Sequence, residues 1–194
     1  MALPLTPIEA LKCITAETAR MSYPASMSRG KKPVVEKHTK KLVEAHLLEE
    51  FPISDIWNPE SFAFTDFETW HAERINAMAL AIEHKVLSRN GPTAVAAKFI
   101  NTFLHQLTKY EAARPLLPYL HLPLDRRVFG KLRTLKSPAL SSFKQELKGS
   151  PYSLAYAQHL GIQAALLNLL NELNARNGAT YTFSARIELN WLWL

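Results

Sequence analysis

Glu68 and His71 stand three residues apart, the spacing at which a carboxylate and an imidazole on one helical face can reach a shared metal ion. Helical di-metal centres need a second such pair, and none is present. The two residues therefore read as a polar pair on a helix face, with no metal expected. His46, His84 and His105 are scattered and read as packed or partly exposed side chains rather than as ligands. Cys13 is the single cysteine, so no Cys pair is available for a metal or an internal disulfide, which fits a reducing compartment. A Gly-rich phosphate loop, an HExxH helix and a Gly-x-Ser-x-Gly elbow are all missing, and no cofactor is expected.

Charge is the next chemically informative feature. The formal total is +6, but it is unevenly distributed. Between Leu42 and Ile75 eight acidic residues stand against Arg74 alone; between Lys85 and Lys148 twelve basic residues stand against Glu111, Asp125 and Glu146. A second basic block comprises Arg29, Lys31, Lys32, Lys37, Lys40 and Lys41. Cations gathered in blocks attract a polyanion, and nucleic acid is the commonest one in a cytoplasm. Solvated lysines on helix faces are the plain alternative.

These residues must be positioned by a single domain. At 194 residues, with 47% apolar and 21% charged residues, the chain can bury a core of its own. No apolar run reaches the roughly 20 residues needed to span a bilayer, and the start lacks the charged-then-apolar order of a signal peptide. The expected location is the cytoplasm, with no membrane partner.

Helix signals dominate, so the expected class is mainly α. Thr6-Pro7-Ile8-Glu9 combines a capping hydroxyl, a proline at the first helical position and a carboxylate three residues after the cap, predicting a helix to about Arg20. Apolar spacing predicts further helices over Val34 to Glu50, Thr65 to Leu87 and Pro92 to Leu107. The last of these follows a turn at Asn90-Gly91, where a positive φ is expected. Asp125 sits at an N-cap position before Arg126, and Ser137-Pro138 and Ser150-Pro151 resemble two more helix starts. The stretch Pro151 to Arg176 is apolar nearly all round, and about seven helices are expected with this one at the centre.

From residue 179 the period changes. Tyr181, Phe183, Ala185, Ile187, Leu189, Trp191 and Trp193 alternate with mostly polar residues, predicting a short C-terminal β-strand over 179–194. Its partner would be Ile53 to Trp57 or Ser61 to Phe67, or else a second chain, giving a homodimer through the strand.

One stretch resembles a known family. Asn90-Gly91-Pro92-Thr93-Ala94-Val95-Ala96-Ala97-Lys98-Phe99-Ile100-Asn101, followed by His121-Leu122-Pro123-Leu124-Asp125-Arg126-Arg127-Val128-Phe129, is similar to the centre of the helix-hairpin-helix base-excision DNA glycosylases. The resemblance spans residues 88–133 and implies a helix-hairpin-helix-like centre. It places Lys98 at the lysine that attacks the sugar carbon in bifunctional members, and Asp125 at the active-site aspartate. Gln106 to Pro118 reads as an insertion in that pattern.

The implied chemistry suits those residue types. A fixed carboxylate stabilises the positive charge that develops on a sugar losing its base, and an amine can trap the sugar as a Schiff base. Arg126, Arg127, Lys131 and Arg133 would hold phosphates, and the backbone amides at Asn90 and Gly91 would hold another. The partner expected is DNA rather than RNA. Three functional classes stay open: a DNA glycosylase or abasic-site lyase, a non-catalytic nucleic-acid-binding domain, and a helical protein-interaction module. In the latter two, Lys98 is a solvated lysine and Asp125 a helix cap.

Overall fold

Prolines at first helical positions and short polar caps divide this chain into helices. The structure is a computed structural model that describes residues 7–24, 27–28, 33–50, 64–87, 89–177 and 182–193. Seven α-helices run through the described residues: α1 (Pro7–Met21), α2 (Thr39–Glu50), α3 (Phe64–Ile82), α4 (Pro92–Leu107), α5 (Arg126–Thr134), α6 (Lys144–Lys148) and α7 (Tyr156–Asn177). Shorter 3₁₀ segments cover Glu83–Lys85, Glu111–Leu116, Pro138–Phe143, Pro151–Ser153 and Arg186–Trp193. The mainly α class holds, and none of the helices described is long and apolar enough to cross a membrane.

The caps behave as their chemistry requires. Val128 N donates to Asp125 Oδ1 at 2.9 Å, Ala139 N to Ser137 Oγ at 3.1 Å, and Tyr152 N to Ser150 Oγ at 3.3 Å. Ser150-Pro151 nevertheless opens only a 3₁₀ turn, and α7 begins at Tyr156. There Gln158 reaches back to accept from Ala155 N at 2.9 Å, which supplies the cap that the serine would have given. The expected helix over Val34 to Glu50 also starts late. Val34 and Val35 are buried and extended, with Val35 bridged to Val86, because β-branched residues gain backbone partners there: Leu87 N donates to Val34 O, and Glu36 N to Lys85 O.

Two apolar clusters form the core. One gathers α1, α2, α3 and most of α4; the other gathers α5, α6, α7 and the C-terminal segment. The central helix is α4, not the one beginning near Pro151. From Ala94 to Leu107 ten of the fourteen residues of α4 are buried, and it packs against α1, α3 and α7. Helix α7 buries only one stripe, and Leu167 on its outer side is 41% exposed. Gly161 in that helix has a packing reason: a Cβ there would lie 2.9 Å from the Phe143 ring.

The C-terminal strand is not formed. Arg186–Trp193 is a 3₁₀ helix, and five consecutive residues, Ala185 to Leu189, are buried. Alternation failed because the two polar residues expected to face solvent find partners inside. Glu188 accepts from Ser184 N at 2.6 Å and Ala185 N at 3.1 Å, while Arg186 Nε donates to Leu120 O at 3.0 Å and its Nη2 to Tyr119 O. Among the described residues the C-terminal segment thus offers no strand edge for pairing, internal or between chains. Of the two internal partners proposed for it, Ile53 to Trp57 lies outside the described residues, as do Ser61 to Ala63, and Phe64 onward is helical.

Between the clusters runs Leu120 to Leu124, buried and outside any helix, with no strand among the described residues to pair with it. Gln163 of α7 clasps its middle: Leu122 N donates to Gln163 Oε1 at 2.9 Å, and Gln163 Nε2 donates to Leu122 O at 2.8 Å. Replacing Gln163 by Ala would leave two buried backbone groups unsatisfied, at a cost of about 3 kcal/mol. Urea unfolding should show a lower midpoint with an unchanged slope. A midpoint equal to wild type would mean that the clasp carries no stability.

Candidate functional site

The clasped segment ends at Asp125, and α4 carries Lys98 to meet it. Lys98 Nζ donates to Asp125 Oδ2 at 3.0 Å, across 27 residues of sequence. Only 11% of the Lys98 side chain and 31% of that of Asp125 are exposed. Lys98 is thus not a solvated lysine. Asp125 is a helix cap as well as an ion-pair partner, since its other oxygen takes Val128 N. Burial alone would raise the Asp125 carboxyl, but the charge of Lys98 and the amides of Val128 and Arg127 outweigh it and hold the group below its ordinary 3.8.

A cationic cleft of about 440 Å³ is walled by Arg89, Asn90, Arg126 and Arg133 and by the loop Gly149 to Pro151; neither Lys98 nor Asp125 lines it, though Arg126 directly follows Asp125 in the chain. Arg126 and Arg133 are seven residues apart on α5 and so share a face. Arg127 and Lys131 are exposed but belong to the adjacent face and do not line this cleft. The Arg126 guanidinium stands 5.8 Å from the centre of the Tyr152 ring, a cation–π contact that orients it. Burial, with the Asp125 charge adding to it, pushes the Tyr152 hydroxyl up to about 12. It is neutral throughout the physiological range.

The hairpin at Asn90 and Gly91 lines the cleft differently from expectation. Asn90 N donates to Leu87 O at 2.9 Å and Gly91 N to Tyr152 O at 2.6 Å, so both amides are already committed within the protein. Asn90 Nδ2 is likewise directed at the Val34 and Leu87 carbonyls. Gly91 has φ −90°, not a positive value, and a Cβ there would meet Tyr152 O at an ordinary 3.7 Å. The turn ties α4 to the 149–153 loop instead of presenting donors to a phosphate.

Three features escaped the sequence reading. Arg89 and Ser150 were visible as a basic residue and a cap, but only the fold brings them to one cleft. His121 stands within the family-like stretch, where the resemblance implies no role for it. It points inward, with Nε2 3.1 Å from Glu68 Oε1. His71 is fully buried, so Glu68 and His71 are not a simple surface pair. Comparison adds no relative to weigh against this geometry. No family model, curated protein or solved structure matches the chain.

Because the Asp125 carboxyl is held low in the folded protein, its stabilisation is fully present above the unfolded-state value and is lost as pH falls through the folded one. Asp125→Ala should cost about 1–2 kcal/mol at pH 7, combining a lost cap with an unpaired Lys98. Denaturant titrations of wild type and variant should converge only below about pH 4. A difference that is the same at pH 3 and pH 7 would mean that the charged form of Asp125 contributes nothing.

Proposed function

We propose that this protein binds DNA along the arginine-walled cleft, and that Lys98 and Asp125 act on the sugar of a nucleotide turned out of the helix, as the resemblance to the helix-hairpin-helix glycosylases implies. The observation that carries this reading is the Lys98–Asp125 contact, made across 27 residues by the two residues that the family-like stretch singles out. Asp125 immediately precedes Arg126, which lines the cleft, so phosphate binding and sugar chemistry would share the start of α5.

The chemistry balances with these groups and water. When the glycosidic bond breaks, its electron pair leaves with the base, and the ionised Asp125 stabilises the positive charge left on the sugar; water then adds to that carbon and its proton goes to the departing base, leaving an abasic sugar. At an abasic sugar, Lys98 Nζ gives up a proton to solvent and its lone pair adds to the aldehyde carbon, with Asp125 holding the amine in place. Loss of water then gives a Schiff base, which borohydride would reduce to a stable amine. The target base must leave the stack for this to occur.

Binding to duplex and single-stranded DNA should weaken steeply with salt. Replacing Arg126 and Arg133 together by Ala should reduce the log–log salt slope by about 2, one contact each, and replacing Arg127 and Lys131 should reduce it by less. Abasic DNA should form a borohydride-trapped complex that Lys98→Ala abolishes while binding persists. Trapping that survives Lys98→Ala would remove the lysine from the chemistry. The structural use of both Asp125 oxygens favours a second reading, binding without catalysis. Wild-type protein that binds but neither traps nor excises would select it, and absence of binding at low salt would end both.

A further inference from the structure

Glu68 and His71, on one face of α3, gain a third polar neighbour from the clasped segment. His121 brings Nε2 to 3.1 Å from Glu68 Oε1, and its ring meets that of His71 edge-on with centroids 4.4 Å apart. A donor atom from each of the three lies within 4.8 Å of the others. The outer nitrogens of both imidazoles are engaged. Asn101 Oδ1 accepts from His71 Nε2 at 2.8 Å, and His121 Nδ1 lies 3.3 Å from His159 Nε2.

That arrangement leaves His71 Nδ1 as an acceptor. It is buried in a fully buried residue and has no hydrogen-bond partner. Such a nitrogen costs free energy unless something occupies its lone pair.

We infer that Glu68, His71 and His121 form a binding site for a divalent transition-metal ion, zinc by ligand type. Two imidazoles and one carboxylate are a three-ligand zinc set whose fourth position takes water, and Glu68, with 36% of its side chain exposed, marks the solvent side. In a tetrahedral site with bonds of about 2.0 Å, donor atoms stand about 3.3 Å apart. The His121 and Glu68 atoms already meet that spacing, and His71 reaches it with a small swing of the Glu68 carboxylate and the rings. The hydrogen bonds from Asn101 and His159 fix the orientation of the two rings, as outer partners do in metal sites. Arg186 is the opposing charge nearby, its guanidinium turned to the Leu120 and Tyr119 carbonyls. Glu68 is therefore the ligand on which affinity most depends.

The test uses the full chain, stripped with a chelator and titrated with Zn²⁺ alone by calorimetry and with Co²⁺ alone by visible absorption. One equivalent should bind per chain, and Co²⁺ should give the intense d–d bands of a tetrahedral site. Glu68→Gln keeps the volume at a partly exposed position, and circular dichroism checks that it folds. It should weaken binding about 10-fold or more. His84→Gln and Cys13→Ser, both at exposed positions, should leave binding unchanged. No saturable binding of either ion, unchanged affinity in folded Glu68→Gln, or loss of binding in Cys13→Ser would each overturn the assignment.

Discussion

A buried backbone segment outside any helix, with no strand among the described residues to pair with it, is the constraint on which this structure turns. Peptide groups in such a segment need partners, and here side chains supply them: Gln163 pairs with both polar groups of Leu122, and Arg186 covers the carbonyls of Tyr119 and Leu120. The segment passes from the first apolar cluster at Leu120 to the second at Leu122 and Leu124. Its path accounts for the burial of Arg186 and Gln163, two residues that composition would place at the surface. It also sets His121 facing one way and Asp125 the other, so the clasp positions both polar sites.

Electrostatics at the Asp125 end follow from the same placement. A lysine emerging from the most buried helix of the protein needs a countercharge, and a helix N-terminus favours an anion. Asp125 meets both demands with its two oxygens. The pair neutralises itself, so the positive field of the cleft comes from Arg89, Arg126 and Arg133 and not from Lys98. Arg126 can face outward because the Tyr152 ring, itself held by the Gly91 amide on its carbonyl, gives the guanidinium a surface to lie against.

Legibility in the sequence tracked how local each determinant was. Caps at Asp125, Ser137 and Ser150, and Pro92 at the start of α4, depend on contacts two or three residues away and could be read directly. Periodicity misled at the C-terminus, because alternation implies a strand only if the intervening residues face water, and Arg186 and Glu188 instead find backbone partners. It misled again for α7, whose leucines are more numerous than its neighbours can cover, while α4 is enclosed by α1, α3 and α7. The meeting of Glu68, His71, His121 and His159 spans separations of 38 and 53 residues and left no local trace. A search for repeated Glu-x-x-His pairs could not find a cluster whose third member comes from a loop.

Charge counting had a similar limit. The acidic stretch from Leu42 to Ile75 suggests one solvated face, yet Glu68 turns toward a buried histidine. The basic stretch suggests a uniform cationic surface, yet its lysine at 98 is spent on Asp125 and its arginine at 89 also anchors the Pro33 carbonyl. The cations that wall the cleft are fewer than the total charge implies: Arg89, together with Arg126 and Arg133 on one face of α5. Because α5 starts at the end of the clasped segment, the direction of that face is set by Gln163 and Arg186, neither of which touches the cleft. The shape of the arginine-walled cleft is thus fixed from within the core, by side chains that the distribution of charge along the sequence does not single out.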